Sequence, residues 1–186
     1  MTAPTLTEDC ASCAALCCVA HAFDAGADFA EDKAADTPCR HLGAGGLCTI
    51  HASRAERGYG GCIAYHCHGA GQYVTRVMFG GADWQTDPAR LAPMTAAFRE
   101  LLPVQRWRAM LETATALDLS GDLAAELDAL RAALLPPPGE VWTAEALAAL
   151  RRGPLEARIG AFLRALRGTV PAPRTASEAV SPETLR

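Results

Sequence analysis

Eight cysteines lie between Cys10 and Cys67, and the remaining 119 residues of the 186-residue chain hold none. Small buried residues used only for packing would be scattered, so this confinement says the thiols act together, as disulfides or as metal ligands. Compartment separates the two readings. The opening MTAPTLTEDCASC has no basic stretch ahead of an apolar run, so no secretory leader is visible. No apolar run approaches the roughly 18 residues of a membrane span. The expected setting is cytoplasmic, where reducing thiol buffers make structural disulfides rare. Metal coordination is therefore the preferred reading. A formal net charge of −4 offers no global attraction to nucleic acid or to an anionic membrane.

The pattern around the cysteines predicts a mainly α fold in two parts. Residues 9–23 are Ala-rich and suit a helix with Asp9 as N-cap. From 28 to 70 the chain carries seven glycines and Pro38, and reads as loop with short elements. Such a stretch buries little by itself, and bound metal is a common substitute for a core. In 71–81 the apolar positions Tyr73, Val74, Val77 and Met78 favour a short helix.

Beyond Pro88 the periodicity is helical throughout. Leu91, Met94, Phe98, Leu101 and Leu102 form one stripe, which Pro103 is expected to end or kink before Trp107, Met110 and Leu111 resume it. Ser120 is the expected N-cap of a helix bearing Leu123, Leu127, Leu130 and Leu134. Thr143 opens another helix, and Pro154 suits the first position of the last one, with Leu155, Ile159, Phe162, Leu163 and Leu166 on its inner face. The expected organisation is a Cys-rich metal-binding module of short helices and loops over 1–87, a small helical bundle over 88–168, and a disordered Pro/Ser/Thr-rich tail over 169–186.

The ligand candidates are Cys10, Cys13, Cys17 and Cys18 in a C-x2-C-x3-CC run, then Cys39, Cys48, Cys62 and Cys67. Thiolates suit soft and borderline cations, and a tetrahedral site needs four donors at about 2.3 Å from the ion. On an unbroken helix Cys10, Cys13 and Cys17 share a face, and that face is expected to meet the later cysteines in one or two compact sulfur groups. Cys18 points about 100° away, which marks it for a second group or for none. With eight sulfurs no imidazole is required, although His66 and His68 flank Cys67, and His21 shares the face of Cys17.

The segments CASCAALCC (10–18), CRHL (39–42), CTIH (48–51) and GGCIAYHC (60–67) together resemble the YkgJ-type cysteine-cluster proteins. The resemblance implies chelation of zinc or iron by all eight cysteines. The stretches ADFAEDKAADTPCRHL and CHGAGQYVTRVMFGGADW look closer still to a cysteine-rich module at the front of some bacterial pentapeptide-repeat proteins. Here ADFAE is a single pentapeptide-like unit, and helices follow it in place of a repeat array.

Other chemistries fit less well. A Cys–His nucleophile built on Cys62 or Cys67 lacks a recognisable context, and metal-bound thiolate is not free to attack. Asp28, Glu31, Asp32 and Asp36 read as a solvated charge run. Arg151, Arg152, Arg158, Arg164 and Arg167 are interrupted by acidic residues and sit on helices that need a polar face, so no nucleic-acid partner is expected. No phosphate-binding glycine loop is present. The reading is a metal-binding protein that holds zinc or iron, with a binding role preferred to an enzymatic one. Two alternatives stay open: an iron–sulfur protein with a redox or enzymatic role, and an adaptor with structural metal whose C-terminal helices bind a protein partner.

Overall fold

The computed structural model describes residues 4–168; the tail expected over 169–186 lies outside them. The fold is mainly α. Short helices α1 (Leu16–Ala20), α2 (Gly60–Ala64) and α3 (Ala70–Tyr73) are followed by the long α4 (Leu91–Ala114), then α5 (Gly121–Ala133), α6 (Ala144–Arg152) and α7 (Leu155–Arg167). A π turn, Val74–Met78, continues α3 directly, so the expected helix over 71–81 is there. Among the described residues, extended pairing is limited to two isolated antiparallel bridges, Phe23 with Lys33 and Leu42 with Cys48.

Helix α4 is the centre of the packing. It touches α1 and α3 from the cysteine-bearing part and α5 and α6 from the later part, while α7 closes over α5 and α6. Its stripe residues Met94, Phe98, Leu101 and Leu111 are fully buried. Leu16 of α1, Val74 beside α3, Leu130 of α5, Leu147 of α6 and Ile159 of α7 join the same hydrophobic cluster. One continuous core therefore runs across Pro88. α4 also continues through Pro103, so the helix does not end there as the sequence allowed. Burial of the flanking Leu101, Leu102 and Val104 outweighs the lost backbone hydrogen bond.

The first expected helix is corrected. Residues 9–23 do not form one helix: a 3-10 turn at Cys10–Ser12 gives way to an extended Cys13 and a left-handed Ala15 before α1 begins. Tertiary hydrogen bonds replace the helical ladder here. Ala14 N–H donates to Thr75 Oγ1 (3.0 Å), and the Trp84 indole N–H donates to the Ala14 carbonyl (2.7 Å). Asp9 still caps, accepting from the backbone N–H groups of Ala11 and Ser12.

Two capping expectations divide. The Thr143 side chain accepts from Ala146 N–H, while Ser120 holds the N-cap position of α5 without a side-chain hydrogen bond. Pro154 precedes the first turn of α7.

The arginines of the later helices are partly spent on the fold itself. Arg151 pairs with Glu100 of α4 (2.9 Å), Arg158 with Glu126 of α5 (3.0 Å), and Arg131 with Glu112 (2.9 Å). Half-exposed pairs of this kind each contribute less than about 1 kcal/mol and mainly fix helix register.

Phe98 stands at the seam between the two parts, fully buried and edge-on to the His21 ring. Phe98→Ala is expected to cost about 3–5 kcal/mol. Differential scanning calorimetry should show Tm lowered by roughly 10 °C.

Candidate functional site

The cysteine-bearing loops build a small aromatic nucleus of their own. Phe23 and Phe29 stack at 4.2 Å, with Tyr59 edge-on to both at 6.4 Å. Tyr59 is buried; its hydroxyl donates to Glu31 (2.6 Å) and lies 3.0 Å from His41 Nε2, and Arg40 pairs with Glu31 (3.0 Å). Burial, then the Glu31 carboxylate, push the Tyr59 phenol up to about 12, so it stays a neutral donor. This network holds the turn that carries Cys39.

All eight cysteines are free thiols; Cys10 is exposed and the other seven are half-buried. The closest sulfurs described are Cys17 Sγ and Cys18 Sγ, 4.0 Å apart. The compact sulfur groups expected at ligand spacing are not formed. Among the described residues, no three Cys, His, Asp or Glu side chains converge, as they stand, on a point that would hold a metal ion. The break after Cys13 is the reason, since Cys10, Cys13 and Cys17 no longer share one helix.

The thiols nevertheless fall into two neighbourhoods. Cys13, Cys17 and Cys67 pack against the main core. Gly71, one turn beyond Cys67, lies so close to Cys13 that a Cβ there would meet its sulfur at 2.5 Å. Cys10 precedes Cys13 in the same 3-10 turn, with Cys13 N–H donating to the Cys10 carbonyl.

Cys18, Cys39, Cys48 and Cys62 gather on the loop side. Cys39 N–H donates to the Cys18 carbonyl (2.9 Å), and Cys48 pairs in the bridge with Leu42. Arg54 donates to the Cys62 carbonyl (3.0 Å). Arg54 also donates to the carbonyl of His51 (2.9 Å), three residues after Cys48.

Acidities differ across this division. Burial raises the Cys13 thiol to about 11. Cys17 is held well above its ordinary value by its hydrogen bond with Cys18 and by burial. The same hydrogen bond lowers Cys18 to about 7, against its burial and with help from Lys33 and Arg54. The imidazoles are engaged elsewhere. His21 Nε2 meets the Tyr65 hydroxyl (2.9 Å), and His66 Nδ1 meets Glu8 (3.2 Å).

Two features escape sequence reasoning. Lys33, the sole lysine of the chain, is 9% exposed. Its ammonium donates to the carbonyls of Val19 (3.0 Å), His21 (2.5 Å), Ala34 (3.1 Å) and Thr37 (2.7 Å). Residues 4–8 are strapped to the body. Fully buried Gln105 donates to the carbonyls of Thr5 (3.0 Å) and His68 (2.8 Å), and Arg108 donates to Pro4 O (2.7 Å). An isolated lysine between acidic residues carries no periodic signal, and a glutamine inside a helical stripe looks like any surface position.

No protein-family model matches the chain, and no solved structure matches it. Over 122 residues it is 38% identical to the uncharacterized protein YybG of Bacillus subtilis (strain 168), across 66% of this chain and 44% of that protein. The chain thus spans less than half the length of that relative. No helix among the described residues is long and apolar enough to cross a membrane.

The site yields two expected outcomes. In the metal-free chain at neutral pH, limiting iodoacetamide should label Cys18 before any other thiol, read by peptide mass spectrometry, because thiolate is the reactive form. Gly71→Ala should displace Cys13 and lower stability by about 1–3 kcal/mol, read by urea unfolding.

Proposed function

We propose that this chain is a metal-binding protein that holds zinc or iron through its clustered cysteine thiolates. The observation that carries the reading is eight unpaired thiols within 58 residues of chain, with the adjacent Cys17 and Cys18 sulfurs 4.0 Å apart. The donor set suits thiophilic metals, and the resemblance to the cysteine-cluster proteins points the same way. Cys10, Cys13, Cys17, Cys18, Cys39, Cys48, Cys62 and Cys67 are the ligands. The metal supplies cross-links between loops that bury little by themselves or, as an iron–sulfur cluster, a redox centre.

The residues contribute in distinct ways. Each coordinating thiol releases its proton to solvent. The Tyr59–Glu31–Arg40 network steadies the Cys39 turn, and Arg54 anchors the backbone at Cys62. The setting that follows is cytoplasmic, since free thiols persist in a reducing compartment.

Protein purified anaerobically should contain at least about one tightly held zinc or iron per chain by elemental analysis. Brown protein with visible absorption would identify a cluster, and colourless protein would identify zinc. Less than about 0.3 metal per chain, with all eight thiols freely titratable, would overturn the proposal.

A further inference from the structure

Resting on that reading, we infer that the eight thiols make two separate four-sulfur centres that part between Cys17 and Cys18, and that Lys33 is the positioning residue of the second. Cys10, Cys13, Cys17 and Cys67 form the first. Cys18, Cys39, Cys48 and Cys62 form the second.

Packing separates the groups. Cys13, Cys17 and Cys67 rest on the main hydrophobic cluster, and Gly71 gives Cys13 its room beside α3. Cys10 lies in the turn that leads into Cys13. The first centre therefore sits where α1 and α3 meet α4. The members of the second are tied through loop backbone: Cys18 to Cys39 by a 2.9 Å hydrogen bond, Cys48 to the 39–42 turn by the bridge at Leu42, and Cys62 to the turn after Cys48 by Arg54, which donates to the carbonyls of His51 (2.9 Å) and Cys62 (3.0 Å). Cys17 and Cys18 are consecutive residues of one short helix with their sulfurs 4.0 Å apart; Cys17 packs against the main cluster, whereas the Cys18 carbonyl holds the loop at Cys39.

Lys33 fastens the two strands of chain that deliver the second centre. Its ammonium has three protons, and it meets four carbonyls. Val19 and His21 follow Cys18, whereas Ala34 and Thr37 lead into Cys39. Its backbone pairs with Phe23 in both directions, at 3.0 and 2.8 Å. A buried cation is costly unless its protons are satisfied and opposite charge is near. Four thiolates around a divalent ion leave excess negative charge, which Lys33 and Arg54 are placed to offset. The lysine thus acts on the metal through the loops and through its field, without coordinating it.

The probe is cadmium-113 added to the metal-free full chain, read by cadmium NMR with couplings to the cysteine β-protons. Two signals are expected, one coupled to Cys10, Cys13, Cys17 and Cys67 and the other to Cys18, Cys39, Cys48 and Cys62. Lys33→Met should weaken cadmium binding at the second signal at least about tenfold and leave the first in place. Cadmium bound with Cys17 and Cys18 on one ion, or with a cysteine bridging two, would refute the division while sparing the metal-binding reading. Absence of any bound cadmium would overturn both. Because the couplings are read on the unaltered chain, the division is decided even where Lys33→Met fails to fold. Loss of both signals together in that variant, with or without loss of helical circular dichroism, would refute a selective role for Lys33.

Discussion

The cysteine-bearing loops have too little apolar surface to stand alone, and the buried face of α4 is what they rest on. Leu16 and Val19 of α1 are fully buried, as are Ala70 and Val74 of the α3 region. Helix α4 is in contact with both helices. The opposite side of α4 is taken by α5 and α6, so one 24-residue helix organises the whole chain. Packing of this kind supplies most helical stability in proteins, which is why α4 tolerates Pro103. The thiols divide accordingly: Cys13, Cys17 and Cys67 lie against the apolar cluster, and Cys39 and Cys48 hang from loop backbone.

Much of the later half was legible because it obeys one rule. Leu127, Leu130 and Leu134, and then Leu155, Ile159, Phe162 and Leu166, are buried as their spacing requires. Met110 breaks the rule, 42% exposed although its stripe neighbour Leu111 is fully buried. The first half was legible in kind but not in path. Clustered cysteines and glycines announce a loop-rich region. They do not reveal that Thr75 and Trp84, more than sixty residues away, take the backbone groups that a helix through Ala14 would have used. Local propensity yields to long-range hydrogen bonds there.

The candidate site was legible in the same uneven way. Residue type singles out the eight thiols, and three of the five imidazoles, His41, His21 and His66, meet Tyr59, Tyr65 and Glu8. Helical rotation misjudged the geometry, since it assumed a continuous helix through Cys13. Lys33 was invisible because its role comes from four carbonyls that only the folded chain assembles. A side chain whose partners are all backbone leaves no partner motif in a sequence.

The strap at residues 4–8 bears on how the chain is made. Its anchors, Gln105 and Arg108, lie about a hundred residues downstream of Thr5 and Pro4. A ribosome delivers the cysteines first and the helix that seats them much later. Throughout that interval the thiols emerge as an open, unsupported ribbon, because long-range closure must await α4. The newborn chain is therefore most vulnerable to oxidation and to mispairing until α4 has been made, and its safety depends on the reducing power of its surroundings and the speed of elongation more than on its final stability.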